Sequence, residues 1–210
     1  MLSVNDLSIY LISWPGVHDD ARQILKKLNE YHSCVTVIYS ETKDDDVEFD
    51  VTSIKTSSNL LWEKKFHTAL NLCSTKVCLF IHSDCICDDW SGLVDRCLES
   101  HSNYRDIGVW APLISGTPFK LQRTSLGNSH VGDENLISVV NCDGIIFSLN
   151  EVVQKRMNEA KYGENIRGWG IDWLFSSFAY NSNLHVVIDK LINVHHRIGS
   201  SYSHDGAEDD

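Results

Sequence analysis

The sequence has little positive charge: 18 Lys and Arg stand against 29 Asp and Glu, leaving a formal net charge of −11. That balance argues against broad contact with nucleic acid, whose phosphates are held by clustered Lys and Arg that release counterions on binding. An anionic ligand must be met locally, by a divalent cation, helix N-termini or a few basic side chains. No run approaches the ~20 apolar residues that a membrane-crossing helix needs, so a soluble protein is expected. The opening MLSVNDLSIYLISW has no basic segment ahead of its apolar residues and no small-residue cleavage site, so it reads as a first strand and not as a secretory signal. The cysteines, at 34, 73, 78, 85, 87, 97 and 142, are odd in number, and the close pair Cys85 and Cys87 has no partner pair at zinc-finger spacing. Reduced, buried thiols in a cytosol-like compartment are expected. There is no internal repeat.

What is present is an ordinary globular composition, 42% hydrophobic and 22% charged, in 210 residues, enough for one substantial core and one domain. A strand at 7–13 breaks at Trp14-Pro15-Gly16, and apolar residues at 21, 24, 25 and 28 follow helical spacing. A second strand at 34–39 and a short one near 50–55 lead to Ser57-Ser58, a candidate helix cap, and then to a helix whose face is Trp62, Phe66, Ala69, Leu70 and Cys73. The strand at 77–81 and the helix at 90–99 complete a half in which strands and helices alternate, which predicts a mixed, mostly parallel sheet flanked by helices. Beyond residue 105 come strands near 107–113 and 136–148 around a polar loop at 115–134, helices at about 150–160 and 168–181, and short strands at 184–188 and 190–194. The acidic tail at 203–210 has little to bury and is expected to be disordered.

Chemistry concentrates in three segments. KVCLFIHSDCICDDW, residues 76–90, runs an apolar strand into a polar turn holding Asp84 and then into a helix start. Ligands in open α/β sheets collect at the carboxyl ends of strands, where His82, Ser83 and Asp84 lie. Asp88 and Asp89, directly before Trp90, are better placed than Asp84 to cap the following helix. GWGID at 168–172 adds a carboxylate, and NVHHR at 193–197 adds paired imidazoles. Adjacent side chains on a strand point to opposite faces, so at most one of His195 and His196 can ligate a metal, and His196 is the assignment.

The order of strand, HSD turn and helix, then NCDGIIFSLNEVVQKRM, GWGIDWLFSSFAY and LHVVIDKLINVHH, resembles the GT-A fold nucleotide-sugar glycosyltransferases over residues 5 to about 200. The resemblance implies a single GT-A-like, Rossmann-related domain over 1–202, with a nucleotide-binding half at about 1–105 and an acceptor-binding half at about 106–202. It implies that the turn usually written D-x-D binds metal and diphosphate through Asp84, with His82 standing where a second aspartate is common and Ser83 between them. Asp143, in Asp143-Gly144-Ile145-Ile146-Phe147, falls beside the donor sugar. Trp169, Gly170 and Asp172 match the W-G-x-E/D element, which orients the acceptor and often supplies the catalytic carboxylate; Ile171 replaces an acidic residue frequent there. Trp173 joins Trp169 and Gly170 as acceptor-binding, and a late histidine, His195 or His196, closes the metal site. The base and ribose are held by Ser13 and Trp14 after the first strand and by Ser40 at the end of the second, where Trp14 either flanks the uracil or packs the turn. Lys65 either reaches the diphosphate or is a solvated helix lysine.

The function implied is metal-dependent transfer of a hexose-type sugar from a UDP-sugar to a hydroxyl of a glycan or glycoprotein acceptor. The cofactor is Mn²⁺ or Mg²⁺, since mixed oxygen and nitrogen ligation suits Mn²⁺ at least as well. The competing readings are a sugar-nucleotide nucleotidyltransferase, although SWPGVHDDAR does not match the Gly-rich, Arg-containing signature usual after the first strand of such enzymes, and a non-catalytic nucleotide-sugar or glycan-binding module of the same fold. The small, anchor-free chain is similar to compact transferases of bacteria or large DNA viruses, which implies a cytoplasmic location, the host cytoplasm if viral.

Overall fold

The computed structural model describes residues 1–41, 46–57, 62–116, 125–160, 168 and 170–197, with backbone alone for 125–130. Along the chain run β1 (Leu7–Ser13), α1 (His18–Lys27), β2 (Val35–Ser40), β3 (Thr52–Thr56), α2 (Trp62–Leu72), β4 (Val77–His82), β5 (Cys85–Cys87), α3 (Trp90–Asn103) and β6 (Ile107–Ser115). They are followed by β7 (Ser125–His130), β8 (Leu136–Val139), β9 (Ile146–Asn150), α4 (Glu151–Glu159), α5 (Ile171–Tyr180) and β10 (His185–His196). One sheet has the order β3-β2-β1-β4-β9-β6-β10-β8-β7, with β5 paired to β10.

The apolar runs of the central strands are buried on both faces, as expected where helices cover each side. From β1, Leu7, Ile9 and Leu11 pack with Ile24 and Leu25 of α1 and Leu93 and Val94 of α3. Its alternate residues Tyr10 and Ile12 pack on the opposite face with Phe66 of α2, Met157 of α4 and Phe175 of α5. A stack of rings, Phe80 to Phe147 at 4.9 Å and Phe147 to Phe175 at 4.6 Å, ties β4 and β9 to α5.

The sheet is mixed, as the sequence predicts, but its parallel part is smaller than expected. β1 pairs in parallel with β2 and with β4, and β2 with β3; α1 carries the crossover from β1 to β2, and α2 lies between β3 and β4. Past β4 the pairings are antiparallel except that of β6 with β10. The predicted strand at 136–148 is two strands: Asn141 to Gly144 break the apolar run, β8 pairs with β10, and β9 inserts between β4 and β6. The two short strands predicted at 184–194 are one, β10, whose register slips between Asp189 and Asn193. Part of the predicted polar loop at 115–134 forms β7. Helix α5 starts at Ile171, later than the predicted 168, since Gly168 and Gly170 have φ of +72° and +78°. Of the proposed Ser57-Ser58 cap, Ser58 lies outside the described residues, as does the tail at 203–210. Asp89 caps α3, accepting from the Gly92 N–H at 2.8 Å, which leaves Asp84 for other work.

All seven cysteines are free thiols. Among the described residues no helix is long and apolar enough to cross a membrane.

Candidate active site

One edge of the sheet collects the carboxyl ends of β1, β2, β4, β6 and β10. The turn after β4 is pinned to β1: both the backbone N–H and the hydroxyl of Ser83 donate to the Ile12 carbonyl, at 3.0 and 2.7 Å. Ser83 thus acts as a latch for the turn that carries Asp84. The turn is also held from the other side, where the His82 N–H donates to Ile145 O at 3.2 Å and so fastens it to the segment leading into β9.

Asp84 is fully buried, and its Oδ2 lies 3.0 Å from His196 Nε2. Antiparallel pairing of His196 with Cys85 brings the end of β10 alongside the turn. The neighbouring His195 faces the other way and meets Ser115 Oγ through Nδ1 at 3.1 Å. The Arg197 N–H donates to the Asp84 carbonyl at 3.2 Å, and its guanidinium pairs with Asp20 of α1.

The 3.0 Å contact is a hydrogen bond in this structure. A carboxylate oxygen beside an imidazole nitrogen is also a donor pair whose chemistry suits a divalent ion that accepts mixed oxygen and nitrogen ligands. No group of three or more His, Cys, Asp or Glu among the described residues is arranged to hold a metal. A cation on Asp84 and His196 would take its remaining ligands from phosphate and water.

His82 does not join that pair. Its ring is wedged edge-on between Trp62 at 4.6 Å and Trp14 at 5.7 Å, and its Nε2 is shut off from solvent with no hydrogen-bond partner among the described residues. Burial pushes its pKa down to about 4, against the pull of Asp84, so the ring is neutral at pH 7. Trp62 is in turn touched by the GWGID segment: a Cβ on Gly168 would lie 2.5 Å from Trp62 Cδ1, and only glycine fits there at positive φ.

Lys65 is not a solvated helix lysine; it is 4% exposed, with Nζ 5.7 Å from the centre of the Trp14 ring. No carboxylate among the described residues pairs with it, and burial pushes its pKa down to about 8. A buried cation without a counter-charge is costly, and an anionic ligand would relieve the cost. Nearby, Ser13 Oγ meets His18 Nδ1 at 2.7 Å, and His18 Nε2 lies 3.2 Å from Glu41 Oε2. Burial holds the His18 imidazole below its ordinary pKa even with Glu41 opposing. Ser40 is buried at the end of β2.

The second carboxylate group lies where the 140–145 segment meets the start of α5. A Cβ on Gly144 would stand 3.6 Å from the Asp172 Cβ. Asp172 accepts a 2.8 Å hydrogen bond from Asn141 Nδ2, and burial holds its carboxyl above the ordinary carboxylate value. Asp143 is buried at 6% exposure, and Cys142, lying near both carboxylates, keeps its proton because burial drives its thiol well up. Gly170 caps α5, and Trp173 is 49% exposed beside Asp172. Trp169 lies outside the described residues.

The sequence reading missed His18, Trp62, Asn141 and Ser176 as site residues. Asn141 had a local signal, an amide two positions before Asp143 in a turn-forming run; His18 meets Ser13 five residues back, and Trp62 and Ser176 gain meaning from partners distant in sequence.

No protein-family model and no curated protein matches the sequence. Among solved structures, GalNAc-T7 with UDP, GalNAc and Mn²⁺ superposes with a TM-score of 0.63 at 11% identity, covering 92% of this chain and 44% of that one. UDP-glucose pyrophosphorylase complexed with UDP-glucose gives a TM-score of 0.57 at 9% identity, covering 88% of this chain and 90% of that one. A Bacillus anthracis protein described as a glucose-1-phosphate thymidylyltransferase, in complex with sucrose, gives 0.56 at 11% identity over 88% and 86% of the two chains. This chain spans less than half the length of GalNAc-T7. At such identities the likeness establishes the fold alone: the chain has the GT-A fold that its motifs resemble, shared with a glycosyltransferase and with nucleotidyltransferases.

Proposed function

We propose that this protein transfers a hexose-type sugar from a UDP-sugar to a hydroxyl of a glycan acceptor. The observation that carries the reading is the pairing of buried Asp84 with His196 at a sheet edge near which α2 buries Lys65, a cation with no paired carboxylate among the described residues. Such a set suits a nucleoside diphosphate, because a cation on Asp84 and His196 would supply the counter-charge that a departing diphosphate needs. The crystallised partners of the GalNAc-T7 structure, UDP and Mn²⁺, are in keeping with this choice. Lys65 adds a second positive charge from α2, and Ser13, Trp14 and Ser40 receive the nucleoside at the ends of β1 and β2.

The residues on the far side of the edge serve the acceptor. Asp172 receives its hydroxyl, and a pKa raised by burial brings the carboxylate closer to the range in which a general base works at neutral pH. Trp173 offers an exposed indole, and Gly170 stands exposed at the start of the same helix. Asp143 flanks the donor sugar. On this reading the part up to about residue 105 holds the nucleotide, with His196 joining it at the cation, and the part from about 106 to 202 holds the acceptor, with Asp143 turned to the donor sugar.

A second reading, nucleotidyl transfer, is favoured by one observation: both nucleotidyltransferase structures match over nearly their whole length. UDP release from a UDP-sugar, with and without Mn²⁺ and a glycan acceptor, tests the first reading. Production of UTP and sugar 1-phosphate from UDP-sugar and pyrophosphate tests the second. Binding of UDP-sugar with neither product would leave a non-catalytic module.

A further inference from the structure

Within the NCDG segment the most enclosed polar side chain is Asn141, which has no exposed surface and uses both ends of its amide. Its Nδ2 donates to Asp172 Oδ2 at 2.8 Å, and its Oδ1 accepts from Ser176 Oγ at 2.6 Å. An amide can flip at little cost in shape, so its partners decide its orientation. Here they agree: a carboxylate accepts only from the NH₂ end, and the hydroxyl can donate only to the oxygen end. Asp172 and Ser176 stand four residues apart on α5, hence on one face of the helix, and Asn141 bridges them from the loop. The arrangement leaves Asp172 half-buried, engaged on its loop side.

We infer that Asn141, oriented by Ser176, is a positioning residue for sugar transfer: it fixes the plane of the Asp172 carboxylate so that the group meets the acceptor hydroxyl. The inference rests on the role proposed above for Asp172. Among the described residues, Asp172 is faced by the Asn141 amide and the Cys142 thiol from the loop and by the N–H groups of Asp172 and Trp173 from its own helix. Of these, Asn141 and the Trp173 N–H favour the ionised form that burial opposes.

Two variants test this. Asn141→Ala removes the donor, and Ser176→Ala removes the orienting hydroxyl while putting a good helix former inside α5, so it should fold even if the first does not. In ¹³C-labelled protein the Asp172 carboxyl should titrate at higher pH in both. UDP release from UDP-galactose, UDP-glucose or UDP-N-acetylgalactosamine should lose about 10–100-fold in kcat for Asn141→Ala, the scale of a lost hydrogen bond to a charged group, with KM for the donor unchanged. A role confined to packing would move neither the titration nor kcat. Wild-type kcat in both variants, with Asp172→Asn inactive, would overturn the inference and leave the proposed function standing. A wild-type protein that turns over no UDP-sugar would remove the proposed function and the inference with it.

Discussion

His196 meets Asp84 across 112 residues of sequence, its Nε2 3.0 Å from a carboxylate oxygen with no exposure to solvent. The contact couples the end of β10 to the turn after β4. On the function proposed above, it is also where a cation would be held between protein and phosphate.

UDP binding is therefore expected to need Mn²⁺ or Mg²⁺ and to fail in Asp84→Asn, because an unscreened diphosphate would otherwise enter a protein of net charge −11. Calorimetry with and without EDTA reads this directly. Equal affinity in Asp84→Asn without metal would remove the site.

The two histidines separate by strand face. His196→Ala should weaken metal-dependent UDP binding by about 10–100-fold, whereas His195→Ala, which loses a contact with Ser115 at the surface, should change it little. The reverse order, measured by the same titration, would move the metal to the other face.

Lys65 should trade stability for binding. Its folded pKa of about 8 lies below the unfolded value, so between those two values the unfolded chain holds more protons and stability rises with pH. Below pH 8 the full penalty of the buried cation is present. Lys65→Met should therefore raise stability at pH 7 by up to about 3 kcal/mol and flatten its rise through pH 8–10, while weakening UDP binding. Thermal melts across that pH range, with UDP titrations at pH 7, give both readouts; a variant less stable than wild type at pH 7 would show that Lys65 is already compensated.

Much of the first half of the molecule was legible because strand and helix alternate there with clean periods, and Asp89 directly before Trp90 marked a helix start. The second half was not, for a physical reason. A run such as Ile137 to Phe147 is apolar at both ends, so its strand character shows, but which neighbour each end pairs with depends on the whole sheet, and β9 finds its place between β4 and β6. The same holds in the site. Alternation along β10 separates His195 from His196 on paper, whereas the wedging of His82 between two tryptophans and the burial of Lys65 against Trp14 arise only when β1, α2 and β4 converge.

Arg96 makes the most demanding polar contact away from the site. Its Nε donates at 2.6 Å to Asp189, which is fully buried and also accepts from Trp110 Nε1 at 3.3 Å and the Leu191 N–H at 3.0 Å, at the point where β10 slips register. Arg96→Met leaves a buried carboxylate without its cation and should cost about 3–5 kcal/mol in chemical denaturation. A loss below about 1 kcal/mol would mean that Trp110 and the Leu191 N–H satisfy Asp189 alone.

On the proposed function Asp172 serves the acceptor and not the nucleotide. Asp172→Asn should keep UDP and metal binding and suppress transfer, since loss confined to turnover marks a group that acts in the transition state or on the second substrate. The change from carboxylate to amide keeps the size, and the new side chain can still present an oxygen to the Asn141 amide, so no cavity opens and the bridge to Ser176 survives. In the wild type the rate should fall as pH drops through a pKa above the ordinary carboxylate value, because burial raises it and only the ionised form can take a proton. That acid limb should be absent from the residual activity of the variant. Where the true acceptor is unknown, slow hydrolysis of the donor by water gives a usable readout. Transfer by Asp172→Asn at the wild-type rate would make the GWGID segment structural, and the enclosed Asp143, on the other side of Cys142, would become the carboxylate to test.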